Sequence, residues 1–184
     1  MNPWHDIKPA RVTPDSFWAL IEISKNSKNK YELDKETGRL KLDRVLFTST
    51  HYPQNYGFIP LTYADDFDPL DVLVLCSEEI LPMSFVECIP IGVLSMVDNG
   101  LNDEKIIAVA KSDPFYSNCR DIAEIPCHVM DEIKHFFEVY KTLEGKQTSV
   151  DTFQGSIKAK EVIERSLKEY KRVILPQVEA SRRK

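Results

Sequence analysis

The spacing of hydrophobic and polar positions changes near residue 125. Before it, short runs rich in β-branched and aromatic residues recur over 17–23, 30–33, 40–46, 72–75, 85–97 and 106–109, a pattern that predicts strands. Turn chemistry separates them: Thr37-Gly38, Tyr52-Pro53, Asn55-Tyr56-Gly57 and Asp98-Asn99-Gly100. Strands this short and closely spaced predict a small antiparallel barrel or a strongly bent sheet. Beyond residue 125 the period lengthens. Ile133, Phe136, Phe137 and Tyr140 fall at i, i+3, i+4, i+7, and Val162, Ile163, Leu167 and Tyr170 make a second stripe, so two helices should cover the β unit. Pro126 and Asp131 suit the start of the first helix, and Gly145 lies close to its end.

Composition narrows this picture. A chain of 184 residues, 42% hydrophobic, can bury the core of one domain. No repeat, low-complexity linker or second boundary interrupts it, so 1–184 reads as a single domain with a frayed basic tail over about 173–184. The formal charge of −5 argues against non-specific nucleic-acid or membrane partners, and a polyanion would need a metal to enter an acidic site. The first ten residues lack the charged start and apolar run of a signal peptide, and no apolar stretch approaches the roughly 18 residues of a membrane span. A cytoplasmic protein is expected. Cys76, Cys88, Cys119 and Cys127 form no CxxC pair and have no His at ligand spacing, so neither a zinc site nor a disulfide framework is expected. Cys76 and Cys88 lie in apolar runs and read as core residues.

The chemistry concentrates in Asp65-Asp66-Phe67-Asp68-Pro69-Leu70-Asp71, just before the run Val72-Leu73-Val74-Leu75. Four carboxylates in seven residues repel one another unless a cation neutralises them, and a hard divalent metal is the natural partner. A solvated acidic turn is the alternative. The EF-hand register fails, because Leu70 and Asp71 stand where an oxygen ligand and a Gly are needed. A helical aspartate-rich motif is blocked by Pro69. A second acidic group, Asp98 and Asp103 flanking Gly100, follows the strand over 85–97. Lys30, Arg44, Lys105 and Lys141, with Tyr52, Tyr56 and Tyr140, supply positive charge and polar-tipped aromatics near the turns. Acidic metal ligands and phosphate donors on one scaffold are what phosphoryl transfer to water requires.

Asp66-Phe67-Asp68-Pro69-Leu70-Asp71-Val72 resembles the DxDPxDV signature of the family I soluble inorganic pyrophosphatases. Ile21-Glu22-Ile23, Lys30-Tyr31-Glu32, Asp43-Arg44, Tyr52-Pro53, Asn55-Tyr56-Gly57, Gly92-Val93-Leu94, Asp98, Asp103 through Lys105, and His135-Phe136-Phe137 with Tyr140-Lys141 also resemble family segments, in the family's order, over about residues 15–145. The resemblance implies an α+β, mainly β fold: a small five-stranded OB-like antiparallel barrel flanked by two C-terminal-half helices. It also implies several Mg2+ ions per active site and, as is usual in bacteria, a homohexamer. Asp66, Asp71 and Asp103 resemble ligands of the tightest metal, with Asp71 bridging to a second ion. Asp98 and Asp103 resemble those of a metal arriving with substrate. Glu32 resembles a contact to a further metal, with Glu22 in support. Lys30, Arg44, Tyr56, Lys105, Tyr140 and Lys141 resemble the pyrophosphate-binding set, with Tyr52 behind them.

The implied reaction is hydrolysis of pyrophosphate to two phosphates by a metal-activated water, without a covalent intermediate. Asp68 lies two positions from Asp66 and on the same side if the segment is extended, which makes it the candidate to accept the proton. Phe67 stands where the family has a small or polar residue, and it should point away from the metals and pack outside their cavity. The tail beyond about residue 172 has no counterpart. A phosphatase for tripolyphosphate or a nucleotide is the runner-up, although no Gly-rich phosphate loop is present. A non-catalytic OB-type binding module is the rival class, and the dense carboxylate set opposes it.

Overall fold

The apolar runs of the first 110 residues become strands in a computed structural model that describes residues 2–98, 100–146 and 148–183. They are β1 (Phe17–Ile23), β2 (Asn29–Asp34), β3 (Arg39–Val45), β4 (Asn55–Phe58), β5 (Asp71–Leu75), β6 (Phe85–Asp98), β7 (Leu101–Asn102) and β8 (Lys105–Ala110). A ninth, β9 (Thr148–Gly155), lies between the helices α1 (Cys127–Val139) and α2 (Ser156–Glu169), and α3 (Leu175–Arg182) ends the chain's described part. Five strands pair in the order β1-β4-β5-β8-β6, and β6 pairs again with β1. The mainly-β class is as expected, with two differences from a five-stranded antiparallel barrel: β7 and β9 also pair with β6, making a seven-stranded sheet, and β5 and β8 run parallel, Asp71 beside Lys105 through Leu75 beside Val109. β2 and β3 form a separate hairpin.

The strands alternate between two cores. Val72 and Val74 of β5 join Phe17, Val93 and the α2 residues Ala159, Val162 and Ile163, whereas Leu73 and Leu75 join Ile107, Leu94 and the α1 residues Ile133, Phe136 and Phe137. A strand covered on both faces has no polar side to show, which is why Val72-Leu73-Val74-Leu75 is apolar throughout. Helix α1 follows Pro126, and a 3-10 turn after it closes at Gly145, whose φ of 71° needs no Cβ.

Three expectations are corrected. Asn55-Tyr56-Gly57, read as a turn, belongs to β4, and β9 was not expected at all. A Cβ at Gly57 would meet the Leu20 carbonyl oxygen at 1.9 Å, so this glycine serves the close approach of β1, where the register shifts between Ile21 and Ile23. The tail is helical over Leu175–Arg182 rather than frayed. The helix widens over Tyr170–Ile174 before α3, because Pro176 has no N–H for the Arg172 carbonyl. Tyr170 is buried beside Trp4, its hydroxyl 2.9 Å from His5 Nδ1, and Arg182 pairs with Asp6. The cysteines are free; Cys88 is buried and Cys76 half-buried.

Candidate active site

The parallel pairing of β5 and β8 builds the centre of the site. It sets the first residue of each strand, Asp71 and Lys105, side by side. Asp103, just before β8, is held by its N–H on the Met96 carbonyl at 2.9 Å. Lys105 is only 2% exposed, and its Nζ donates to Asp71 Oδ2 at 2.7 Å, to Asp103 Oδ1 at 2.8 Å and to Tyr56 Oη at 3.2 Å. The Tyr56 hydroxyl in turn donates to Asp71. Burial pulls the ammonium's pKa down, but Asp103 and Asp71 overcome it and hold Lys105 charged well above its ordinary range.

Asp66, Asp71 and Asp103 each offer an oxygen within 4.8 Å of the others. Burial, with Asp71 and Asp103 adding repulsion, pushes the Asp66 carboxyl up to about 7. Burial raises Asp103 as well, against the pull of Lys105. Burial and Asp71 push the Tyr56 phenol upward, which keeps it a neutral donor. These three carboxylates bear on a cavity of about 550 Å³. Its lining includes nine carboxyl side chains and five ammonium groups, so a polyphosphate could not enter without added cations. Asp98 Oδ1 is buried with no hydrogen-bond partner among the described residues, while Oδ2 accepts from Lys141 at 2.5 Å. Three clustered carboxylates and a fourth with a spare buried oxygen suit hard divalent cations, which take oxygen ligands.

Of the residues singled out from sequence, Glu22, Lys30, Glu32, Tyr56, Asp66, Asp68, Asp71, Asp98, Asp103, Lys105, Tyr140 and Lys141 all line this cavity. Arg44 and Tyr52 do not. Arg44 Nε donates to Glu144 at 2.9 Å and Nη1 to Asp43 at 2.5 Å, which leaves Nη2 buried and without a partner among the described residues. Tyr52 is buried against Tyr56 and Phe136. Sequence reasoning missed Glu144, which is 8% exposed at its side chain, and Lys35, which lines the cavity and pairs with Asp68. The Lys35 signal was available: it follows Asp34 at the tip of a hairpin that already carries Lys30 and Glu32.

The acidic loop is not extended as expected. The Ala64 N–H donates to the Asp68 carbonyl at 2.8 Å and the Phe67 N–H to the Ala64 carbonyl at 3.1 Å, so residues 64–68 form a turn. Phe67 sits at φ 69°, an uncommon conformation for a bulky residue. It does not line the cavity, but it is 66% exposed, with its ring centre 6.4 Å from that of Tyr63. The expected buried packing is absent, and a small or polar residue would suit the left-handed backbone better.

Glu22 supplies a pH-dependent expectation. Its Oε1 accepts from the Leu33 N–H at 2.6 Å, yet burial, joined by the charges of Asp71 and Glu32, pushes the carboxyl up to about 8 from 4.5. The folded state thus resists an ionisation that the unfolded chain undergoes near 4.5, so stability falls as pH rises between those values. The unfolding free energy of the metal-free protein, measured by urea titration, should drop across pH 4.5–8 by up to about 1.4 kcal/mol per pH unit. Glu22→Gln keeps the acceptor for Leu33 and should flatten that slope. Equal slopes for the two proteins would refute the assignment.

The chain is similar to known proteins over most of its length. The profile of the family described as inorganic pyrophosphatase matches residues 19–171. The chain is 48% identical over 175 residues to soluble inorganic pyrophosphatase 2 of Chlamydomonas reinhardtii, covering 95% of this chain and 91% of that one. It is 48% identical over 174 residues to the soluble inorganic pyrophosphatase of Zea mays, covering 95% and 81%. Among solved structures, inorganic pyrophosphatase from Thermus thermophilus superposes with a TM-score of 0.83 at 41% identity, over 86% of this chain and 92% of that one. The Helicobacter pylori enzyme gives 0.83 at 46%, over 86% and 95%.

Proposed function

The chain belongs to the inorganic pyrophosphatase family, and from that premise we propose which of its residues hydrolyse pyrophosphate and how. The activity is that of a metal-dependent hydrolase that converts pyrophosphate to two phosphates. The observation that carries the detailed reading is the cavity itself, lined by more carboxyl than ammonium groups, with Asp66, Asp71 and Asp103 clustered and with tyrosines among its lining.

Asp66, Asp71 and Asp103 would hold the tightest metal, and Asp98 with Asp103 would hold one that enters with substrate. Glu32 would contact a further ion, with Glu22 in support. Mg2+ is the assigned metal, several per site, because Mg2+ favours few carboxylates completed by water and phosphate oxygens. Bound divalent cations would lower the pKa of a water toward neutrality and neutralise phosphate charge. Asp68 takes the proton as the water oxygen bonds to one phosphorus and the bridging P–O bond breaks. Lys30, Lys105, Lys141, Tyr56 and Tyr140 then hold the phosphate oxygens, and Arg44, which does not line the cavity, joins this set on family resemblance alone. Tyr52 packs behind Tyr56. Direct attack by an activated water needs no covalent intermediate.

Phosphate release from pyrophosphate, tripolyphosphate and ATP, with Mg2+, with Ca2+ and after EDTA, tests this reading. Pyrophosphate with Mg2+ should far exceed the rest, since calcium's larger radius and looser geometry misplace the reacting water. Full turnover after exhaustive chelation would end it. The whole chain, 1–184, acts as one domain in the cytoplasm. Among the described residues no helix is long and apolar enough to cross a membrane. The expected assembly is a homohexamer of the 21.2 kDa chain, on family resemblance alone. Light scattering that returned an active monomer would overturn it.

A further inference from the structure

We propose that Lys35 is a positioning residue for Asp68, and that the N-terminal segment around Trp4 holds Lys35 in place. This rests on the assignment of Asp68 as proton acceptor. Among the described residues, Lys35 is the only side chain paired with the Asp68 carboxylate. Their side chains are 47% and 53% exposed, so the pair adds little to stability. Its consequence is orientation: with one carboxylate oxygen anchored, the other is left to face the reacting water.

Lys35 itself is fixed from three sides. Its own turn is set by Asp34, which accepts from the Glu36 N–H at 3.1 Å and the Thr37 hydroxyl at 2.8 Å and closes on Gly38 at φ 67°. Its carbonyl accepts from Asn2 Nδ2 at 2.8 Å. Its ammonium stands 5.4 Å from the centre of the Trp4 ring, within cation–π range. Trp4 is equally tied to the stretch leading into the acidic loop, because its Nε1 donates to the Thr62 carbonyl at 3.0 Å and its own carbonyl accepts from Leu61 at 3.0 Å. Trp4 therefore meets the lysine through its ring and the stretch before the acidic loop through its indole N–H and its carbonyl. Nothing in the proposed metal or phosphate set accounts for this arrangement.

The test is steady-state kinetics on Lys35→Met, Lys35→Arg and Trp4→Leu, with melting temperatures alongside. Lys35→Met keeps the apolar stem and should lower kcat about 10- to 100-fold, the scale of a misplaced catalytic group, with KM for pyrophosphate within about threefold and melting unchanged. Lys35→Arg, which can still pair with Asp68 and stack on Trp4, should recover kcat to within a few fold. Trp4→Leu should lower kcat in the same direction by less. The decisive arm is Lys35→Met in an Asp68→Asn background, where it should cost nothing more if Lys35 works through Asp68. A full additional loss there would overturn the inference and leave the role of Asp68 intact. Normal kcat in Asp68→Asn alone would overturn that role, and the inference with it. Loss confined to KM, or no recovery by Lys35→Arg, would also sink the positioning role.

Discussion

Asp71→Asn will lose metal affinity and turnover together, whereas Asp68→Asn will lose kcat by about 10²- to 10⁴-fold, the usual contribution of a general base, and keep most of its metal binding. The two residues are three positions apart in one signature, yet their surroundings differ. Asp71 opens β5, accepts from Tyr56 and Lys105, and contributes to the three-carboxylate cluster. Asp68 lies outside that cluster, on the turn, with Lys35 as its partner. Removing one of three close carboxylate oxygens removes a ligand, while removing the outlying carboxylate leaves the cluster whole. Calorimetric metal titration beside kcat separates the two, and loss of metal binding in Asp68→Asn alone would reverse the assignment.

Lys105→Met will destabilise the metal-free protein by about 3–5 kcal/mol, the range seen when one partner of a buried ion pair is removed. Lys105 is nearly inaccessible and is the shared donor to Asp71 and Asp103. Without it, Asp66, Asp71 and Asp103 face one another with no ammonium between them, and repulsion adds to their desolvation. Divalent metal should narrow the deficit, because it binds the folded cluster and not the unfolded chain. Urea unfolding with EDTA and with Mg2+ measures both effects. A metal-free loss below about 1 kcal/mol, the ordinary range for an exposed pair, would show that Lys105 is not the cation that balances the cluster.

The acidic signature was legible because its density is improbable without a cation, and the hydrophobic spacing alone placed six of the strands and both main helices. Other parts misread for local reasons. Asn55-Tyr56-Gly57 carries turn residues, but its glycine serves the Leu20 carbonyl of β1, a neighbour more than thirty residues away. β9 is half exposed along its length and has little apolar signal to find. Phe67 read as buried because alternation was assumed, whereas the loop turns there and leaves it in solvent.

By itself the sequence determined the inventory: a mainly-β unit with covering helices, the carboxylates of the 66–71 loop, and the lysines and tyrosines that accompany them. Those features follow from short-range spacing and side-chain chemistry. Only the tertiary structure decided who meets whom. The parallel pairing of β5 with β8 sets Asp71 against Lys105 across 34 positions, Arg44 turns to Glu144 across 100, and Trp4 seats Lys35. Such contacts have no local signature, because they arise when separate apolar faces are buried on a shared core and the polar ends of the strands are carried together.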